Sequence, residues 1–78
     1  MKEIYKQEYL QLGLKIAYYR KLRGFTQEEL AEKIDRTPAF IGHVEAPNIS
    51  KAISLDTLFD IARALDVPAH KFLIFDDN

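Results

Sequence analysis

With two histidines and no cysteine, little metal or redox chemistry is open to this chain. His43 and His70 are far apart, without the H-x-x-x-H spacing that puts two imidazoles on one helix face, and no thiolate can complete a site. There is no glycine-rich loop to cradle a phosphate and no nucleophile motif. The carboxylates read as helix-cap and helix-surface residues. Catalysis is therefore not expected, and neither is a metal or a cofactor. What remains is recognition chemistry. Lys33, Arg36, His43, Asn48, Ser50 and Lys51 fall in one stretch and supply donors suited to an anionic partner.

The charge distribution agrees with that emphasis but does not decide it. The 78 residues carry a net charge of −1, with 11 Lys and Arg against 12 Asp and Glu. Nine of the basic and seven of the acidic residues lie within 1–51, so that portion is +2 and the remainder −3. A basic portion with an acidic far end can orient on a polyanion. An ordinary mixed surface explains the asymmetry nearly as well. Hydrophobic residues make up 47% of the chain, a globular composition, and residues 1–78 read as one domain. A chain this short buries roughly 60–65% of its extended surface, enough for one modest core. No apolar run approaches the ~20 residues needed to cross a bilayer, and the N-terminus lacks a signal-like core. A cytoplasmic protein without a membrane partner is expected.

Helical signals recur along the chain and strand-like alternation does not. The first helix is predicted from about Glu8 to Arg23, with Leu12, Ile16, Tyr19 and Arg20 on one face and Gly24 as its left-handed cap. Thr26 and Glu29 form a T-x-x-E capping box, and Phe25 with Leu30 supplies the hydrophobic staple of a second helix. Asp35-Arg36-Thr37 interrupts it. Thr37 as N-cap and Pro38 at the first turn start a third helix, which Ala46-Pro47 ends. Ser54 caps a fourth, with Leu55, Leu58, Ile61, Ala62 and Leu65 on one stripe, and Ala69 to Phe75 reads as a short fifth before an Asp76-Asp77-Asn78 tail. Two short helices joined by about three residues must cross sharply, which is helix-turn-helix geometry.

Gly24-Phe25-Thr26-Gln27-Glu28-Glu29-Leu30-Ala31, Ile41 through Glu45, Arg20, and Ile61-Ala62-x-x-Leu65-x-Val67 together resemble the lambda-repressor-like, Cro/CI-type helix-turn-helix family, the XRE regulators. The resemblance runs from about Leu12 to Leu73. It implies an all-α, five-helix DNA-binding domain whose third helix enters the major groove of double-stranded DNA. The activity it implies is transcriptional regulation, most simply repression at a short operator. Arg20 and Glu45 each fall on the inward stripe of their helices. A lone charge there is costly, so an ion pair between the first and third helices is expected, with solvent-exposed charges as the alternative.

By the same resemblance Gln27 reaches a phosphate at the start of the second helix, with a solvated helix-start residue as the alternative. Thr37, Pro38, Ala39, Phe40 and His43 form the groove-facing surface, where relatives often carry Gln, Arg, Ser or Asn. Apolar groups there can touch thymine methyls, and His43 can donate to a guanine or a phosphate. Phe40 is left open between base contact and core. Arg36, Lys33, Asn48, Ser50 and Lys51 flank the groove helix as phosphate contacts or solvated surface residues. Gly42 is read as a close approach to the second helix. The loop from Ala46 to Ile53 lacks the family's usual Gly after the glutamate. A homodimer is expected, with Ile74 and Phe75 as its contact and Tyr5 and Tyr9 as candidate additions, and simple packing of a fraying end is the alternative. The rival reading is a protein-interaction module, such as an antitoxin or assembly factor, on the same fold.

Overall fold

The computed structural model describes residues 1–75 and is all-helical over them. The expected Asp76-Asp77-Asn78 tail lies outside the described residues. After a 3-10 turn at Glu3–Tyr5 come α1 (Lys6–Leu22), α2 (Gln27–Lys33), α3 (Pro38–Glu45) and α4 (Leu55–Leu65), followed by a second 3-10 turn at Ala69–Leu73.

Local chemistry sets most of the boundaries. At the start of α2, Thr26 Oγ1 accepts from the Glu29 amide at 3.0 Å and Glu29 Oε1 accepts from the Thr26 amide at 2.8 Å. This reciprocal box satisfies two donors that a helix start leaves unpaired. Thr37 Oγ1 accepts from the Phe40 amide ahead of α3, and Ser54 Oγ from the Thr57 amide ahead of α4. Pro38 takes the first turn of α3, and Ala46 turns extended, with ψ 129, in front of Pro47.

Three helices end in the same way. Gly24, Asp35 and Asp66 adopt left-handed backbone with φ of 79, 58 and 55. In each case the next residue's amide reaches back across the last turn. Phe25 donates to the Arg20 carbonyl, Arg36 to Ala31 and Val67 to Ala62. That paired 6→1 and 5→2 pattern is the Schellman motif. It turns the four-residue break between α2 and α3 into a defined corner.

The core gathers Leu12 and Ile16 from α1, Leu30 and Ala31 from α2, Ile34 from the end of α2, Ile41 and Val44 from α3, and Leu58, Ile61, Ala62 and Leu65 from α4. Val67 and Phe72 close it. Phe72 is fully buried and meets Tyr19 edge to face at 5.2 Å. Burying one such ring stabilises by about 1.5–3 kcal/mol, so the C-terminal turn is part of the core and not an appendage.

Four expectations are corrected. α1 starts at Lys6, two residues before Glu8, because the preceding 3-10 turn leads directly into it. The fifth helix is a 3-10 turn that stops at Leu73: the Lys71 amide donates to the Pro68 carbonyl three residues back, and Ile74 turns extended, with ψ 108. Leu55 does not share the inward stripe. It opens α4 on the outer side and is 63% exposed. The close approach expected at Gly42 belongs to Gly13. A Cβ on Gly13 would overlap the Val44 carbonyl oxygen, whereas one on Gly42 would meet only Gln27 Oε1 at an ordinary 3.7 Å. Gly13 thus lets α1 lie against the backbone of α3.

Candidate nucleic-acid interface

α3 is eight residues long, too short to hold itself as a helix in water. Its position is set from behind. Ile41 and Val44 sit in the core, and Glu45, at its last residue, is buried. Arg20 grips that carboxylate with both edges of its guanidinium: Nε donates to Oε2 at 2.7 Å and Nη2 to Oε1 at 3.0 Å. Arg20 Nη1 also donates to the Phe25 carbonyl at 2.6 Å, reaching the segment that leads into α2. Gln27 Nε2 adds a third bond to Glu45 Oε1 at 3.1 Å. One carboxylate therefore ties together α1, α2 and α3. Among the described residues no buried side-chain nitrogen or oxygen lacks a partner.

The opposite face of α3 is open. Thr37, Pro38, Ala39 and His43 are exposed, and Gly42 is half-buried beside Gln27. The surface is small and smooth. His43 is its one side chain able to make a directed polar contact from the middle of the helix.

One flank of α3 carries the charge. Arg36, at the corner before α3, lays its guanidinium 3.8 Å above the Phe40 ring and donates from Nη1 to Thr57 Oγ1 at 3.4 Å. Thr57 is buried, and its hydroxyl also accepts from Ser54 Oγ at 3.1 Å. Lys51, from the loop after α3, brings Nζ to 5.6 Å from the same ring. Phe40 is half-buried, packed against the core on one side. Asn48 is exposed on the same loop and Ser50 half-buried.

The structure thus brings Arg36, Phe40 and Lys51 together, and joins Arg20, Gln27 and Glu45. Gln27 is less free than its helix-start position suggested, because its amide nitrogen already serves Glu45. Ile74 is 44% exposed. Phe75 is half-buried and borders Gln7, Glu8 and Gln11 of α1. Tyr5 and Tyr9 line an apolar groove of about 360 Å³ with Leu12, Ile53, Leu55, Leu58 and Leu73. Sequence reasoning missed Thr57 as the anchor of Arg36, and missed the outward pair Leu55 and Phe59. The pair's four-residue spacing is a signal, but Leu55 also keeps the helical period of the core stripe, which masks it.

Among the described residues no group of His, Asp and Glu is placed to hold a metal ion, and no helix is long and apolar enough to cross a membrane. The model of the helix-turn-helix family matches residues 16–72, the segment that contains the α2–α3 corner and the Arg20–Glu45 tie. The chain belongs to the helix-turn-helix family. Two solved structures share the fold of this helix-turn-helix protein. The restriction-modification controller protein C.AhdI from Aeromonas hydrophila superposes with a TM-score of 0.80 at 24% identity, over 87% of this chain and 96% of its own. The hypothetical transcription factor NHTF from Neisseria superposes with a TM-score of 0.77 at 26% identity, over 91% of this chain and 80% of its own. No protein of curated function matches the chain by sequence. The helix-turn-helix assignment is to the DNA-binding, XRE-type regulator class.

Proposed function

We propose that the protein is a homodimeric transcriptional repressor that lays α3 in the major groove at a short operator and blocks polymerase sterically. The observation that carries this reading is the mounting of α3. It is clamped from behind by Arg20, Gln27 and Glu45, while its outer face is left free of protein contacts and flanked by two cations. An eight-residue helix is about 12 Å long, comparable with the width of the major groove. Arg36, Lys51, Asn48 and Gln27 supply the phosphate contacts, which position the protein. Thr37, Pro38, Ala39 and His43 meet the bases, with His43 as the directed reader. So small an apolar face leaves much of the discrimination to thymine methyls and to DNA shape.

A two-fold dimer is supported by α4. Leu55 and Phe59 stand 63% and 52% exposed at i, i+4, with Asp56 and Arg63 seven residues apart beside them. An antiparallel pairing centred between Phe59 and Asp60 sets Asp56 against Arg63 of the partner subunit, twice. The contact spreads over Leu73 to Ile74 and Phe75. Two groove helices then address half-sites about 34–36 Å apart.

The test is fluorescence-anisotropy binding of the purified protein to its own upstream DNA and to a scrambled duplex at two salt concentrations. Tighter, salt-sensitive binding to the native fragment supports the reading. Binding to neither duplex at low salt overturns it.

One observation favours a second reading, an antitoxin or assembly factor on the same fold. Leu14, Tyr18 and Leu22 form an outward stripe on α1, each more than half exposed. Native mass spectrometry showing a stoichiometric partner protein, lost on replacing Tyr18 with Glu, would support that reading.

A further inference from the structure

We infer that Phe40 is a positioning residue for the DNA backbone: its ring gathers Arg36 and Lys51 into one clamp for phosphodiester oxygens on the flank of α3. The inference deepens the DNA-binding reading above and rests on it.

Arg36 and Lys51 come from different segments, one before α3 and one after it, and they carry like charges. Two such groups drift apart in solvent unless something holds them. Among the described residues neither has a carboxylate partner. The hydrogen-bonded neighbour of Arg36 is the neutral hydroxyl of Thr57, and Lys51 Nζ lies over the ring at 5.6 Å without a hydrogen bond to it. The negative face of an aromatic ring attracts both cations without neutralising either, so their charge remains available to an anion. The anchor is firm, because Thr57 is buried and bonded to Ser54 at the start of α4. The guanidinium is thus held over the Phe40 ring and by one long bond from Nη1 to Thr57, and its other N–H groups remain for a ligand. Planar, multidentate donation of this kind suits phosphate oxygens, and the neighbouring ammonium adds a point charge. With its ring covered by Arg36, Phe40 acts through the cations and not by touching a base.

The experiment measures duplex affinity against salt for the full chain carrying Phe40→Leu, Phe40→Tyr, Arg36→Gln/Lys51→Gln, and Phe40→Leu in that double background. Each phosphate contact contributes about 0.9 to the slope of log K on log salt. Phe40→Leu is expected to flatten the slope by about 1 and to weaken native and scrambled duplexes alike by several-fold, leaving their ratio unchanged. Phe40→Tyr keeps a ring and is expected to restore the wild-type slope. Phe40→Leu is expected to have no further effect once Arg36 and Lys51 are already Gln. A base-reading role gives the opposite pattern: the ratio between duplexes changes, and the change persists in the double background. Either result overturns the inference, as does an unchanged slope in Phe40→Leu. Ring-current shifts of the Arg36 and Lys51 side-chain protons in the wild type provide a check that needs no variant to fold. Their absence also overturns it. Wild-type protein that binds no duplex at low salt brings down the DNA-binding reading and this inference together. Wild-type binding with an unaltered Phe40→Leu slope removes only the inference.

Discussion

Replacing Arg20 with Met removes the charge that holds Glu45 while keeping most of the side chain's apolar bulk. The carboxylate is then left buried with Gln27 Nε2 as its one remaining side-chain donor, and the Phe25 carbonyl loses its short bond. Breaking a buried ion pair by removing one partner costs about 3–5 kcal/mol, because the surviving charge stays desolvated. A domain of this size has a total stability of only about 4–12 kcal/mol at typical per-residue values. R20M should therefore melt at least about 12 °C below wild type, at roughly 4–8 °C per kcal/mol. Urea unfolding followed by circular dichroism should show the same loss with an unchanged m-value. The informative partner is the double substitution R20M/E45M. It removes both charges together and should be more stable than R20M alone, giving a coupling energy of about 2 kcal/mol or more. Single substitutions that each cost under about 1 kcal/mol and simply add in the double would refute the buried-clamp argument.

Other substitutions separate parts of the architecture. Gly13→Ala drives a methyl into the Val44 carbonyl and should cost at least about 2 kcal/mol in chemical unfolding. Gly42→Ala meets no such obstacle and should stabilise by about 0.5–1 kcal/mol on the same assay, since alanine favours a helix interior. Thr26→Ala breaks the capping box and should cost about 1 kcal/mol, visible as a lower urea midpoint. Phe59→Glu places a charge at the centre of the proposed α4 contact; if that dimer forms, sedimentation should show the variant as a monomer whose helical content is unchanged. His43→Ala should alter the preference among duplexes in competition binding while leaving the salt slope nearly as it was, because a base contact releases few counterions.

The parts of this fold that were legible in the sequence are those governed by short-range chemistry. Thr26 with Glu29, Thr37 with Pro38, and Ser54 announce helix starts because the bonds they make span only three residues. Arg20 and Glu45 were legible for a different reason. Opposite charges on inward stripes have few acceptable arrangements, and a mutual bond is the least costly. What stayed hidden depends on long-range placement. Gly13 looks like any helical glycine until α3 is laid across it. Leu55 keeps the helical period of the α4 stripe, but as the first residue of the helix it projects to the outer side. Asp35 and Asp66 take left-handed caps where glycine is the usual signal. The cations around Phe40 come from segments fifteen residues apart in sequence, so no local pattern marks their meeting.

The three-way bond at Glu45 also bears on the calorimetry of DNA binding. Because α3 is docked before any ligand arrives, association carries no folding step. The heat-capacity change on binding should then match the apolar area lost at the contact alone, without the large negative excess that accompanies ordering of a segment. Weakening the tie at Arg20 should create that excess. The protein would then have to assemble its groove helix on the duplex, and its binding enthalpy would become steeply temperature-dependent.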